Sequence, residues 1–535
     1  MSLLSLPSEL IVAILNELRI RDLLRCREVC TKFKTIIDDD VRAEYKVELA
    51  VSGMQDGISS PLTLVERLSI LRTRQKAWNE FAWTAQENVP MHRGYAWELS
   101  GNVLAQPDGP GERTLHFKQI PSAVRGIEGI EWTIPDVGCG MAGFGMDPTQ
   151  DLLVIIEHFW NENSEFMCRL HLKALSTGAP HPAGPPEGML TPQSTRCPSS
   201  HFIETSENHL GFLIVYGGSK ELVVWDWKLG TLQLHLTGSE IGSWAFLTSR
   251  LILIAKMHSR YNEETRRMVY IPHLVVIDLE SHASSACESP EPVALSDANV
   301  VGTFHFPPLT DHIVALDMII RSNSKPTHNE PPPPSPKRRS AVLALGRPGA
   351  PPLPLVPAIG SSETQAEHDV AWAEWGKHGA RLFATSGYRT ATSSEVCYVH
   401  GTAFVTTQVD SDPDPEAALD DSVRTTVIVR DFNQLALRRH AHAADRGSKS
   451  GGKYSSGIEE QSVRVVTEAT VWEPAGMFKE EVTTSLPYAE RVLVLSQSEK
   501  GEDNTSWDEV IPTEDAFVLV TSTSDSRFRC RIMSI

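Results

Sequence analysis

Gly138, Gly140 and Gly143 spell G-x-G-x-x-G within Gly138-Cys139-Gly140-Met141-Ala142-Gly143. At that spacing glycines let a backbone approach a pyrophosphate at the start of a helix. The chemistry needs a strand before the motif and a helix after it, yet Phe144-Gly145-Met146-Asp147-Pro148 leads straight into the apolar run Leu152 to Ile156. The expectation is therefore a tight turn between strands. His440 and His442 lie one residue apart in a polar stretch, and His171, His201 and His209 fall beside apolar runs. All five read as surface or satisfied core histidines. The eight cysteines (26, 30, 139, 168, 197, 287, 397 and 530) contain no C-x-x-C pair, so neither a zinc ribbon nor a dithiol site is signalled. Nucleophile-elbow, H-E-x-x-H and P-loop signatures are missing as well. No catalytic residue, no cofactor and no metal ligand is expected. A catalytic set assembled by the fold from scattered Ser, His and Asp side chains stays open, although nothing nominates one.

Pro331 to Pro334, followed by Ser335-Pro336-Lys337-Arg338-Arg339, has three functional readings: a stiff polyproline spacer, a proline-directed phosphorylation site, or a short basic import signal. A solvated loop without function fits equally well. Its surroundings, residues 322–362, share their Pro, Gly, Ser and charge content with 178–200 and 440–462, and all three segments are expected to be disordered insertions between strands.

Two kinds of element must hold these residues. Up to about residue 80 the pattern is helical. Leu10, Ile11, Ile14, Leu15 and Leu18 recur at 3-to-4 spacing after Pro7, and Glu9 faces the positive end of the helix dipole. A second helix is expected from Asp22 as N-cap, with Leu23, Cys26 and Cys30 on one stripe and Val29, Phe33, Ile36 and Ile37 on another. A third runs from Val41 through Tyr45 to Leu49, and a fourth starts at Ser60-Pro61 with Leu64, Leu68, Leu71 and Trp78 on one face. From about residue 96 apolar runs of strand length alternate with turns, as in LLVII (152–156), LVVWDW (222–227), LVVIDL (274–279) and FVLV (517–520). Strand pairs ending in Asp226, Asp278 and Asp431 resemble degenerate WD-repeat blades, in which that Asp accepts hydrogen bonds from a neighbouring turn. The expected architecture is thus α+β and multidomain: a small all-α unit at 1–45, a helical linker at 46–95, and a large all-β domain at 96–535. That domain is read as a β-propeller of six to seven blades, with a double sandwich as the alternative.

The chain has 535 residues and a formal net charge of -19, and residues 1–80 balance 12 basic against 12 acidic side chains. The excess negative charge therefore belongs to the β region. Such a body repels phosphate, which argues against nucleic acid as a partner. No run approaches the roughly 20 apolar residues of a membrane helix, and the N-terminus lacks the basic start and cleavage site of a signal peptide. The expected location is cytoplasmic, nuclear or both.

One ordered set of residues carries a resemblance. Leu6-Pro7-Ser8-Glu9-Leu10-Ile11, Ile14-Leu15-x-x-Leu18, Asp22-Leu23-Leu24, Val29-Cys30, Phe33 and Ile36-Ile37 together resemble an F-box over about residues 5 to 40, with Phe33 where that family more often has Trp. The longer arrangement, an F-box followed by LTLVERLSILRTRQKAWNEF and an acidic β region, is similar to a group of uncharacterised fungal F-box proteins. What the resemblance implies is a substrate-receptor subunit of an SCF-type cullin-RING ubiquitin ligase, itself not an enzyme. The F-box would grip a Skp-type adaptor, and through it cullin and RING subunits, while the β domain presents a protein target. Leu6, Pro7, Leu10, Ile14, Leu15, Leu18, Leu24, Val29 and Phe33 are the expected apolar anchors and supports of the adaptor interface, with Glu9 and Asp22 mainly capping helices. The alternatives are an F-box scaffold acting outside any ligase and a propeller enzyme with an appended F-box.

Overall fold

The computed structural model describes residues 5–54, 56, 61–92, 97–108, 113–122, 126–192, 198–263, 267–280, 293–295, 300–306, 327–328, 340–343, 368–385, 399–410, 424–447, 463–472, 478, 480–495, 507, 509–522 and 528–535. Five helices come first: α1 (Ser8–Glu17), α2 (Ile20–Val29), α3 (Thr31–Asp39), α4 (Val41–Val51) and α5 (Leu64–Glu80). Among the described residues of the β region, α6 (Trp372–Gly379) and α7 (Gln434–Gly447) are inserted between strands.

The expected second helix is two helices. Cys30 is extended (φ -159°, ψ 162°), which ends α2, and its Sγ accepts a hydrogen bond from the Phe33 amide at the start of α3. Asp22 lies inside the first turn of α2 rather than at its cap, and Arg19 is the N-cap residue. α5 begins one turn later than expected because Thr63 and Glu66 form a reciprocal capping box at its start.

Antiparallel sheets of four core strands form a six-bladed propeller among the described residues. Blade one is Glu98–Ser100, Val103–Pro107, Leu115–Gln119 and Ile130–Ile134; blade two is Gly143–Asp147, Leu152–Trp160, Phe166–Ala174 and Met189–Leu190. Blade three is Ser200–Ser206, His209–Tyr216, Ser219–Asp226 and Thr231–Thr237; blade four is Ile241–Phe246, Leu251–Asn262, Arg267–Asp278 and Val300–His305. Blade five holds Val399–His400, Ala403–Asp410, Arg424–Asp431 and Tyr488–Leu495, and blade six holds Glu509–Pro512, Ala516–Ser522, Phe528–Ser534 and Ala85–Pro90. The first strands of blades one to four lie against one another in turn, as do those of blades five and six, which places them at the centre.

A second strand that feeds two cores is apolar on both faces. In blade two, Leu152, Val154 and Ile156 pack against blade three, and Leu153 and Ile155 against blade one. Blade four repeats this, with Ile252 and Ile254 toward blade three and Leu253 and Ala255 toward α6. Period-2 side-chain direction makes an uninterrupted LLVII or LILI run the signature of a strand between two blades. The three strand-end aspartates each cap a turn: Asp226 accepts from the Lys228 and Leu229 amides, Asp278 from Glu280, and Asp431 from Asn433.

Three boundaries differ from expectation. The β domain starts at Ala85, inside the expected linker, because Ala85–Pro90 pairs antiparallel with the last strand from Ala85 opposite Ser534 to Pro90 opposite Arg529. Residues 178–192, expected to be a disordered insertion, are folded: Met189–Leu190 is the outer strand of blade two, the Leu172 amide donates to the Gly188 carbonyl, and the His181 ring lies edge-on to Trp227 at 4.9 Å. Its prolines and glycines serve turns, with Gly178 at φ +74° and Gly188 at φ +62°. Residues 434–447 are helical, so the expected insertion at 440–462 begins as α7, and its remainder, 448–462, lies outside the described residues. Of 322–362, only the strands Thr327–His328 and Ser340–Leu343 are described, and the segment Pro331 to Arg339 lies outside.

Candidate functional site

The N-terminal helices share one core of Ile11, Leu15, Leu23, Phe33, Ile37 and Ala43, flanked by partly buried Leu6, Leu18, Ile20, Cys26, Cys30 and Ile36. Polar contacts lock the arrangement. Arg27 and Asp38 pair at 2.5 Å across α2 and α3, and this bond holds the Asp38 carboxyl below its ordinary value. Asp40 accepts from both Asn16 and the Ala43 amide, and Lys46 donates to the carbonyls of Asn16 and Leu18 at the end of α1.

This core divides the nine expected anchors. Leu15 and Phe33 are buried, and Leu6, Leu18 and Leu24 are partly covered, so they support the helices from within. Pro7 is exposed, Leu10 is 52% exposed, Ile14 43% and Val29 69%. Pro7, Leu10 and Ile14 are spaced i, i+3, i+7 and make one solvent-facing stripe along α1, about 100° from the inward stripe of Ile11, Leu15 and Leu18. The single apolar face read from periodicity is two faces. Ile11 and Leu23, both fully buried, are core residues that the anchor list omits. Neither α1 nor α2 carries a side-chain cap; Glu9 and Asp22 act from the first turn, where a carboxylate complements the helix dipole.

The helices are fastened to the propeller. Asn433 starts α7 and points its side chain both ways: its Oδ1 accepts from the Leu435 and Ala436 amides, while its Nδ2 donates to the carbonyls of Ala50 (3.1 Å) and Val51 (2.8 Å) at the end of α4. One amide thus caps the start of one helix and the end of another. Buried Glu48 pairs with Arg439 at 2.5 Å and with Arg72 at 3.5 Å. On α5, Arg74 meets Asp515 at 2.6 Å, the Trp78 indole donates to the Glu514 carbonyl, and Arg491 donates to Asn79. Trp78, Phe81 and Trp83 surround fully buried Phe517 with ring centroids 5.1 to 6.1 Å away.

Two groups of side chains have metal-ligand chemistry. His92 and His116 stack 4.2 Å apart, both against Asp108 Oδ1 at 3.5 and 2.6 Å, with His116 Nδ1 bonded to Thr133. Cys139, Glu157 and His171 converge in the seam between blades one and two, with donor atoms all within 4.8 Å of one another. Neither group was nominated by the sequence, since their members lie 8 to 24 and 14 to 32 residues apart and only the blade register joins them. The G-x-G-x-x-G segment is the turn expected: Gly138 has φ +88°, Ala142 donates to the Ile156 carbonyl, and Gly143 enters the first strand of blade two.

The helical unit just described coincides with residues 3–43, which match the F-box-like family. Residues 3–43 are an F-box-like domain. This domain is followed by α5 and a six-bladed propeller, and the α1 stripe of Pro7, Leu10 and Ile14 is exposed. No curated protein matches the chain. Among solved structures, Drosophila Plexin A in complex with Semaphorin 1b aligns over 84% of this chain and 87% of that one, at 7% identity and a TM-score of 0.27, a likeness too loose to bear on the fold. Among the described residues no helix is long and apolar enough to cross a membrane.

Proposed function

We propose that this chain is a non-catalytic substrate receptor of an SCF-type cullin-RING ubiquitin ligase. The reading rests on one observation: an F-box-like unit with a well-filled core nonetheless presents Pro7, Leu10 and Ile14 in a row to solvent. An apolar stripe on a helix suits docking in a partner's hydrophobic groove, and in F-box proteins that partner is a Skp-type adaptor, with cullin and RING subunits beyond it. The nine anchors take two roles in this reading. Pro7, Leu10, Ile14 and Val29 touch the adaptor, and Leu6, Leu15, Leu18, Leu24 and Phe33 hold them in place.

The propeller would carry the protein target. The long hairpins of blades two and four end near Trp160, 68% exposed, and exposed Tyr261. Loops on a rigid scaffold commonly do the recognising, and the chain's charge of -19 favours a basic partner. Catalysis is then by proximity, as the receptor raises the local concentration of a target lysine near a ubiquitin-loaded enzyme.

The test is recovery of adaptor and cullin with the full chain and with a folded Leu10→Asp, Ile14→Asp variant. Capture of both by the parent chain alone supports the receptor reading. Capture of the adaptor without cullin points to a scaffold outside the ligase, and capture of neither sinks the proposal.

A further inference from the structure

The blade-one to blade-two seam holds a thiol, an imidazole and a carboxylate that the adaptor reading does not use. Strand direction explains how they meet. Along Leu152–Trp160, Leu153 and Ile155 face blade one, and Glu157 continues that row. On the next strand Cys168, Leu170 and Leu172 face blade three, so Arg169, His171 and Lys173 face blade one with Glu157. Ile155 lies opposite His171 and Glu157 opposite Arg169, which makes Glu157 and His171 diagonal neighbours, bonded at 2.7 Å between Oε2 and Nε2. The glycine-rich turn then lays Cys139 over the pair, inside the core shared with Val137 and Met141. Burial and the charge on Glu157 push the Cys139 thiol up, with Lys173 and Arg113 pulling the other way and Asp136 adding to the rise.

We propose that Cys139, Glu157 and His171 form a binding site for a zinc-class divalent cation that clips the inter-blade turn to blade two. The donor set is the argument. Sulfur, nitrogen and oxygen from three segments suit a borderline-soft ion, and three protein ligands leave a fourth position for water. At zinc bond lengths of about 2.0–2.3 Å, tetrahedral donors stand about 3.2–3.8 Å apart; the three donor atoms lie within 4.8 Å of one another, and the hydrogen-bonded Glu157–His171 pair, at 2.7 Å, would open slightly to admit the ion. Charge favours it too. A thiolate and a carboxylate neutralise a dication; without it Glu157 is bonded to His171 at 2.7 Å and has Arg169 at 3.6 Å, with Lys173 and Arg113 acting on Cys139. Binding converts the Cys139 thiol to thiolate, and the released proton goes to solvent, so affinity rises with pH.

Cobalt(II), titrated into chelator-stripped, reduced full-length chain, tests the site through its thiolate-to-metal absorption. The expected result is one equivalent of cobalt giving that band, displacement by zinc, and a rise in Tm with either ion. Cys139→Ser should abolish the band, and His171→Gln should weaken binding by more than about tenfold. Because Cys139 is in a core, folding of each variant is checked by circular dichroism, and the partly exposed His171→Gln decides the matter if Cys139→Ser does not fold. A band that survives in both variants places the metal on another cysteine. That outcome, or no band at all in the folded parent chain, overturns the proposal.

Discussion

Adjacent residues of α1 should respond in opposite ways to substitution. Leu10 and Ile14 are roughly half exposed, while Ile11 between them is fully buried. Fully burying a Leu or Ile is worth about 1.5–3 kcal/mol, so covering the exposed half of each on an adaptor contributes about 1 kcal/mol apiece. Aspartate at both positions forfeits that and adds about 1–2 kcal/mol per site for bringing a carboxylate into an apolar interface. The total of about 4–6 kcal/mol predicts a loss of affinity of roughly 10³- to 10⁴-fold. Folding stability should fall by about 1 kcal/mol per substitution, for the half of each side chain already covered, which is well short of deleting a core residue. Ile11→Ala does the reverse. It opens a cavity and costs about 2–5 kcal/mol, enough to melt a helical unit of this size while the propeller transition stays put. Calorimetric titration with purified adaptor, read beside two-wavelength thermal unfolding, separates the two. Undiminished adaptor binding by a folded Leu10→Asp, Ile14→Asp chain would refute the assignment of this stripe.

Three further outcomes follow from the seams. Asn433→Ala should cost about 1–2 kcal/mol through loss of the α7 cap, while Asn433→Asp keeps that cap but removes the donor to Ala50 and Val51; hydrogen exchange should speed up over residues 41–54 in both and over α7 in the alanine variant only. Burial and the neighbouring Arg74 guanidinium push His400 down to about 4, against the opposing pull of Asp515. The unfolded chain therefore binds the extra proton between about pH 6.5 and 4, so stability is held above that window and lost on acidification through it; urea midpoints across pH should fall less steeply in His400→Gln. A Cβ at Gly211 would stand 2.0 Å from Trp244 Cη2, so Gly211→Ala should lower stability by about 1–3 kcal/mol, read as a reduced denaturation midpoint.

The parts legible in the sequence are those whose pattern is set by burial on a regular element. LLVII and LVVWDW announce strands covered on both faces, and Asp226, Asp278 and Asp431 announce turns because each caps one. Ala85–Pro90 was not legible: as the outer strand of blade six it shows solvent at every position but Val89, so AQENVP carries no apolar alternation. The α2–α3 break was hidden for another reason. Cys26, Cys30 and Phe33 keep helical spacing through a residue whose backbone is extended, and only the Sγ bond to the Phe33 amide reveals it. Residues 178–192 misled by composition, since proline and glycine serve an ordered turn as well as a mobile one. For the exposed α1 stripe, periodicity located α1 but could not say which of two adjacent rows faces in; that depends on Leu23, Phe33 and Ala43 arriving from other helices.

The fastening of the helices has a consequence for how a receptor of this kind would work. Glu48, buried at the α4 end, meets Arg439 from α7 and Arg72 from α5, and Asp515 meets Arg74. Buried ion pairs add little net stability once desolvation is counted, but a displaced partner leaves a charge stranded at a cost of about 3–5 kcal/mol. A seam of this kind therefore tolerates one register and penalises the others, while the aromatic cluster around Phe517 supplies the attraction. Held this way, α1 keeps a fixed direction relative to blades five and six. A target lysine bound on the propeller would then meet the ubiquitin-loaded enzyme at a set distance instead of an average over a loose tether. Effective concentration peaks when the span of a linkage matches the distance it must bridge, so in a receptor the seam would restrict which lysines are reached. Severing Arg439 and Arg74 from their partners should broaden the set of modified lysines on a target before it weakens binding to either partner.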